Sequence, residues 1–175
     1  MAKAIGMIEF GSIARGIYAA DQMVKTSDVE IVTANSVCPG KYIAIVHGDV
    51  SSVETAVRRG EETAEEFLID SIVIPNVHPR VFPAIVGTTM PEEIQALGIL
   101  ESYSLATMVI ATDAVLKSAE LDAIEIRLGT GLGGKAYFTF TGDVAAVKTG
   151  VNVGMEIIGD AGVLLNAEVI PSPSK

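Results

Sequence analysis

Ala4-Ile-Gly-Met-Ile-Glu-Phe-Gly-Ser-Ile-Ala-Arg-Gly-Ile-Tyr-Ala-Ala-Asp-Gln-Met-Val-Lys25 returns later in the chain as Ala96-Leu-Gly-Ile-Leu-Glu-Ser-Tyr-Ser-Leu-Ala-Thr-Met-Val-Ile-Ala-Thr-Asp-Ala-Val-Leu-Lys117. At this offset of 92 the identities are Ala4/Ala96, Gly6/Gly98, Glu9/Glu101, Ser12/Ser104, Ala14/Ala106, Ala19/Ala111, Asp21/Asp113 and Lys25/Lys117, and several other pairs are apolar in both copies. The match resumes at an offset of 94, with Gly40-Lys41 over Gly134-Lys135 and Gly48-Asp49-Val50 over Gly142-Asp143-Val144. It ends at an offset of 96, with Ile74-Pro75 over Ile170-Pro171. Ordered blocks separated by small changes of length are the mark of a duplicated domain with loop insertions. The join falls near Gly87 to Gln95, where Thr-Thr-Met-Pro-Glu-Glu reads as a polar, proline-containing linker. The expected domains are therefore residues 1–91 and 92–175.

Both copies carry one pattern of elements. Lys3 to Phe10 is a short apolar strand, and Ser12 caps a helix whose expected buried stripe is Ile13, Ile17, Ala20 and Val24. Glu30 to Val37 and Lys41 to Gly48 are β-rich runs joined by a Cys-Pro-Gly turn, a hairpin-like pair. Asp49 stands where an N-cap belongs, ahead of Val50, Val53, Val57, Ala64 and Phe67 on one expected face. Ser71 to Ile74 is a closing strand, stopped by Pro75. The second copy repeats the pattern, with strands at Ala96 to Glu101, Ile124 to Leu128, Ala136 to Thr141 and Val163 to Ile170. The order β-α-β-β-α-β is ferredoxin-like, an α/β (α+β) arrangement with an antiparallel-rich sheet and helices on one side.

Composition narrows the function classes. The 175 residues hold 12 basic and 22 acidic side chains, a formal net charge of −10. With no Lys/Arg run, the chain is a poor phosphate-neutralising surface, so nucleic acid is not expected as a partner. The one cysteine, Cys38, excludes an intrachain disulfide and with it a disulfide-stapled scaffold. Glu9 interrupts the first apolar run too early for a signal peptide, and Thr107, Thr112 and Asp113 break the richest later one. A membrane segment is therefore not expected, and a cytoplasmic protein is. Hydrophobic residues are 49% of the chain but aromatic ones only 5%, so the core is built from small and branched side chains, with oligomeric burial one candidate for the apolar excess.

Gly129-Thr-Gly-Leu-Gly-Gly-Lys135 satisfies both a G-x-G-x-x-G and a G-x-x-x-x-G-K pattern. Phosphate binding by either also needs a helix after the glycines, and the P-loop needs a hydroxyl after the lysine. Here Ala136 follows and Tyr-Phe-Thr-Phe-Thr reads as a strand, so the loop is expected to be a glycine-rich hairpin connection. Glu9 and Glu101 are equivalent strand-end carboxylates, expected to hold a nearby loop or helix start rather than to do acid/base work. His47 and His78 show no metal-ligand spacing. No active site, and hence no enzyme, is read here.

Cys38 sits in Asn35-Ser36-Val37-Cys38-Pro39-Gly40-Lys41, a turn between strands where a thiol is more exposed than the usual buried cysteine. One thiol per chain cannot hold an iron–sulfur cluster or a structural zinc. A symmetry axis that brings three chains together would supply three.

Two copies of Ala-x-Gly-x-x-Glu-x-x-Ser-x-Ala, the Asp-x-x-x-Lys pairs, the Gly-Lys loop and the Gly-Asp-Val helix start resemble tandem bacterial microcompartment (BMC) shell domains over nearly the whole chain. The Cys-Pro-Gly-Lys turn further resembles the PduT type of shell protein from propanediol-utilisation compartments. That resemblance implies a homotrimer shaped as a pseudohexamer, packed in a layer with other shell proteins around a central pore. It implies a [4Fe-4S] cluster shared by three subunits at the pore, with Cys38 as the ligand and Ser36, Val37, Pro39 and Gly40 as the pore loop. It implies Lys25 and Lys117 at tile edges, and a role in electron relay across the shell or in cluster delivery, with an enclosed redox enzyme as a further partner. Pro75-Asn76-Val77-His78 and Pro171-Ser172-Pro173-Ser174 depart from the Pro-Arg-Pro-His frequent in such domains, which puts the edge arginine in question, although Arg80 is nearby. The alternative is a plain tile whose opening passes a small metabolite, with Cys38 merely lining it.

Overall fold

The computed structural model describes residues 4–174, so Lys3, expected at the start of the first strand, lies outside the described residues. The chain divides into two compact units at the Val77/His78 junction. The first contains β1 (Ala4–Phe10), α1 (Ile13–Thr26), β2 (Val29–Val37), β3 (Lys41–Gly48), α2 (Val50–Ala64) and β4 (Leu68–Ile74). Its sheet has the order β2-β3-β1-β4, antiparallel at every pairing. The expected β-α-β-β-α-β order is present.

Ser12 caps α1 as expected, its hydroxyl accepting the N–H of Arg15 at 3.3 Å. The expected stripe is only partly right. Gly16, Ala19, Ala20 and Met23 are the buried residues of α1, whereas Ile13 and Ile17 are 40% and 55% exposed. The cause is close packing: a Cβ at Gly16 would meet the ring of Tyr42 at 2.6 Å, so the helix lies against β3 through its smallest side chains and turns its isoleucines outward.

Asp49 caps α2, with Oδ1 accepting the Ser52 N–H at 3.0 Å. Val53, Val57 and Ala64 are buried behind it as expected. Phe67 is not part of that face. The α-helix stops at Ala64, Glu65 takes a positive φ of 52°, and Phe67 ends a short 3-10 turn at 36% exposure.

The second unit contains α3 (Val81–Val86), β5 (Ala96–Ser102), α4 (Leu105–Ser118), β6 (Asp122–Leu128), β7 (Ala136–Gly142), α5 (Val144–Asp160) and β8 (Leu164–Ile170). Its sheet order, β6-β7-β5-β8, reproduces the first. Ser104 and Asp143 repeat the caps of Ser12 and Asp49, accepting from Thr107 N at 3.1 Å and Ala146 N at 2.8 Å. Phe138 and Phe140 stack at 5.0 Å between centroids, on the core face of β7.

The short helix α3 occupies the stretch before the polar linker, where the sequence pattern assigns no element. Val81 and Ala84 are its buried residues. Around it, Arg80 pairs with Asp122 at 2.8 Å and donates to the Leu121 carbonyl, while the Thr89 hydroxyl donates to the Ile124 carbonyl. These contacts tie residues 78–91 to the edge strand β6.

Candidate functional site

The β2–β3 hairpin builds the Cys38 loop. Val37 and Lys41 are the last paired residues of the ladder, which leaves Cys38, Pro39 and Gly40 as a three-residue turn. The Cys38–Pro39 peptide is cis, and Gly40 takes a φ of 73°, a left-handed conformation that favours glycine. A Cβ at Gly40 would meet nothing within 4 Å, so the tip of the turn stands clear of the fold. Val37 is buried, Cys38 is a half-buried free thiol, and Ser36, Pro39 and Gly40 are exposed.

Two anchors hold the base of this turn, one on each face of the sheet. On the helix side, Tyr42 packs its ring over Gly16, and burial raises its phenol above the usual pKa. On the other side, Lys41 Nζ donates to Glu9 Oε1 at 2.5 Å. The Glu9 side chain is only 4% exposed and that of Lys41 24%. Glu9 is thus the loop-holding carboxylate that its strand-end position suggests. Tyr42 carries no motif, and only the glycine one turn into the preceding helix could have pointed to it.

The matching loop in the second unit is built differently. Leu128 and Ala136 are its last paired residues, so the loop runs from Gly129 to Lys135. Gly129, Gly131, Gly133 and Gly134 all have positive φ. The ion pair is looser, with Lys135 Nζ 3.8 Å from Glu101 Oε1 and both side chains more than a third exposed. A strand follows the loop, so its backbone N–H groups do not open a helix for a phosphate. At its foot, Glu125 accepts the hydroxyl of Tyr137 at 2.6 Å and the guanidinium of Arg127 at 2.5 Å. The Tyr137 bond in particular keeps the Glu125 carboxyl below its ordinary pKa.

Lys25 and Lys117 end α1 and α4, where a cation meets the negative end of the helix dipole. Each donates to the aspartate one turn back, Asp21 and Asp113, at 2.7 Å. His78 and Arg80 lie before α3: the His78 N–H donates to Asp113, and burial is the first cause that lowers the imidazole pKa. His47 faces Glu30 at 3.5 Å.

Could these residues hold an iron–sulfur cluster? Within one chain, the described residues contain no group of three or more His, Cys, Asp or Glu side chains able to hold a metal ion. The donor chemistry fits only as a share: one free, half-buried thiol on a short turn with open space at its Gly40 tip. Thiolates are the ligands that such clusters take.

Two four-stranded sheets with the same strand order, duplicated caps and duplicated strand-end Glu–Lys pairs define a tandem-domain protein of one family. The BMC domain model matches residues 4–77 and again 96–173, and the chain belongs to that family of bacterial microcompartment shell proteins. It is 38% identical to the bacterial microcompartment shell protein PduT of Citrobacter freundii, over 99% of this chain and 94% of that one. It is 32% identical to the carboxysome assembly protein CcmO of a Synechocystis species, over 96% of this chain and 61% of that one. Among solved structures, a microcompartment protein from Desulfitobacterium hafniense superposes with a TM-score of 0.95 at 44% identity, covering 99% of this chain and 97% of the other. The chain is accordingly a structural shell protein, and its relatives are shell components rather than enzymes. No helix among the described residues is long and apolar enough to cross a membrane.

Proposed function

We propose that the protein is a trimeric shell tile that holds one [4Fe-4S] cluster at its central pore, on Cys38 from each of three subunits. The observation that carries this reading is the Cys38 turn. A free, half-buried thiol sits here in a three-residue connection whose Gly40 tip stands clear of the fold and whose base is braced by Tyr42 and Lys41. Three thiolates on one axis would leave one iron for a non-cysteine ligand, which suits an exposed, exchangeable site. When bound, the cluster supplies one-electron storage, so the tile would relay electrons across the shell or deliver a cluster to an enclosed redox enzyme. Ser36, Val37, Pro39 and Gly40 form the pore loop in this reading.

Assembly into a trimer is supported by apolar surface that a single chain leaves open. Ile13 and Ile17 on α1 are 40% and 55% exposed, although their equivalents Leu105 and Val109 on α4 are buried, while Tyr18 and its equivalent Ile110 are exposed in both copies at 53% and 38%. Such a face is suited to another protein surface. Lys25 and Lys117, held out by their aspartates, are the tile-edge residues through which trimers would meet each other and other shell proteins.

Anaerobic purification followed by iron and sulfide analysis tests the cluster. About four irons per trimer are expected from the cluster stoichiometry, with loss on Cys38→Ser. An iron-free wild-type trimer would reduce the protein to a plain pore-forming tile.

A further inference from the structure

We propose that Glu9 and Lys41 form a positioning and charge-setting pair for Cys38, fixing where the thiol stands and holding the reduction potential of the cluster at the value of a charge-neutral loop base. This rests on the cluster reading above and deepens it. Neither residue is a ligand. The pair acts through the turn between Val37 and Lys41.

The geometry has three parts. Lys41 closes the turn, so its backbone is fixed by the ladder to Val37 while its side chain is fixed by Glu9 on β1 at 2.5 Å. Tyr42, the next residue, is fixed on the opposite face by Gly16. Alternate side chains of a strand point to opposite faces, so successive residues at the foot of the turn are locked from both sides. Cys38 is three residues from Lys41, within the turn that the Val37–Lys41 pair closes. A carboxylate as buried as Glu9 is costly without a partner, and fixing register is the best-attested use of such pairs.

The second copy of the domain is an internal control. Glu101 and Lys135 occupy the same places, yet they stand 3.8 Å apart and more than a third exposed, below a loop with four glycines at positive φ and no thiol. The short, buried form of the pair occurs where there is a thiol to position.

Charge gives the inference its sign. Around a threefold axis any change at the pair is repeated three times, and the net charge about a cluster is one of the factors that set its potential. Glu9→Gln leaves an uncompensated ammonium in each subunit and favours the reduced, more negative cluster. Lys41→Met leaves a carboxylate and disfavours it.

The experiment uses the full chain. In the iron-loaded trimer, the midpoint potential is measured by titration with dithionite and mediators, followed by electron paramagnetic resonance. In the iron-free trimer, the rate of Cys38 alkylation by iodoacetamide reports the freedom of the thiol. Glu9→Gln is expected to raise the potential, Lys41→Met to lower it, and the double variant to return it to the wild-type value. Both single variants are expected to change the alkylation rate several-fold, while Lys135→Met changes neither reading. If either single variant fails to fold, the double variant, which strands no buried charge, still tests the pair through the alkylation rate, which is expected to change several-fold. Potentials that stay unchanged, or that move the same way in both single variants, would overturn the inference. A wild-type trimer that binds no iron would instead overturn the cluster reading, with the alkylation rates still testing the positioning of the thiol.

Discussion

Asp113 uses both carboxylate oxygens: Oδ1 accepts the backbone N–H of His78 at 2.7 Å, and Oδ2 accepts Lys117 Nζ at 2.7 Å. Its counterpart in the first copy, Asp21, accepts Lys25 and Gln22 in a side chain that is 45% exposed, against 10% for Asp113. Replacing Asp113 by alanine should therefore release the segment before α3 and leave a half-buried donor unpaired. A loss of about 2 kcal/mol is expected, in the range for hydrogen bonds to charged groups. Asp21→Ala should cost about 0.5 kcal/mol, as for an exposed i,i+4 pair. Urea denaturation of the two variants checks the difference.

His78 has an imidazole pKa lowered from 6.5, first by burial and then by the charges of Arg80 and Lys117, with Asp113 opposing them. The folded state thus prefers the neutral ring, and the unfolded chain binds the extra proton. The stabilisation is complete above pH 6.5 and is lost as pH falls from there through the lowered folded value. His78→Gln should flatten the acid side of the stability profile below pH 6.5. Thermal melts across that range would show it.

Gly60 on α2 and Gly154 on α5 are equivalent positions at which a helix crosses its sheet. A Cβ at Gly60 would run into Ile8 Cδ1, with Met23 Sδ at 2.9 Å, and a Cβ at Gly154 would run into Leu100 Cδ1. Alanine at either site should destabilise by about 1–3 kcal/mol, the usual range for overpacking, despite its better helix propensity. Chemical denaturation of each variant measures this.

Lys25→Ala removes an exposed ion pair and should change stability by less than about 0.5 kcal/mol. Lys117→Ala leaves the nearly buried Asp113 with only the His78 N–H and should cost about 1–2 kcal/mol. In the proposed tile-edge role both would be needed for layers. Electron microscopy of the double variant is expected to show discrete particles where the wild-type protein forms sheets. Sheets of normal extent would remove the edge role.

The duplication made most of the fold legible, because two diverged copies confirm each other's strands, caps and turns. The caps at Ser12, Asp49, Ser104 and Asp143 were readable since a short polar side chain before a periodic apolar run has a local cause. The buried face of α1 was not, because Ile13 and Ile17 satisfy helical spacing as well as Gly16 and Ala19 do. Only the approach of Tyr42 decides between them, and that contact is long-range. Phe67 fits the periodicity of α2 too, but the positive φ at Glu65 ends the helix before it. The helix α3 is six residues long and contains Pro83, too brief for any periodic signal. At the loop, chain position marks Cys38 as an exposed-turn thiol and Glu9 as a strand-end carboxylate, whereas the ligand role of Cys38 comes from the family resemblance. The partnership of Glu9 with Lys41 depends on the sheet register, which brings residues 32 positions apart into contact.

Iron and acid-labile sulfide, counted per trimer on anaerobically purified protein together with the native mass, test the central claim most directly. The account predicts about four of each per trimer, and none in Cys38→Ser at unchanged trimer mass. A wild-type trimer without iron, or a Cys38→Ser trimer that keeps it, would contradict the account.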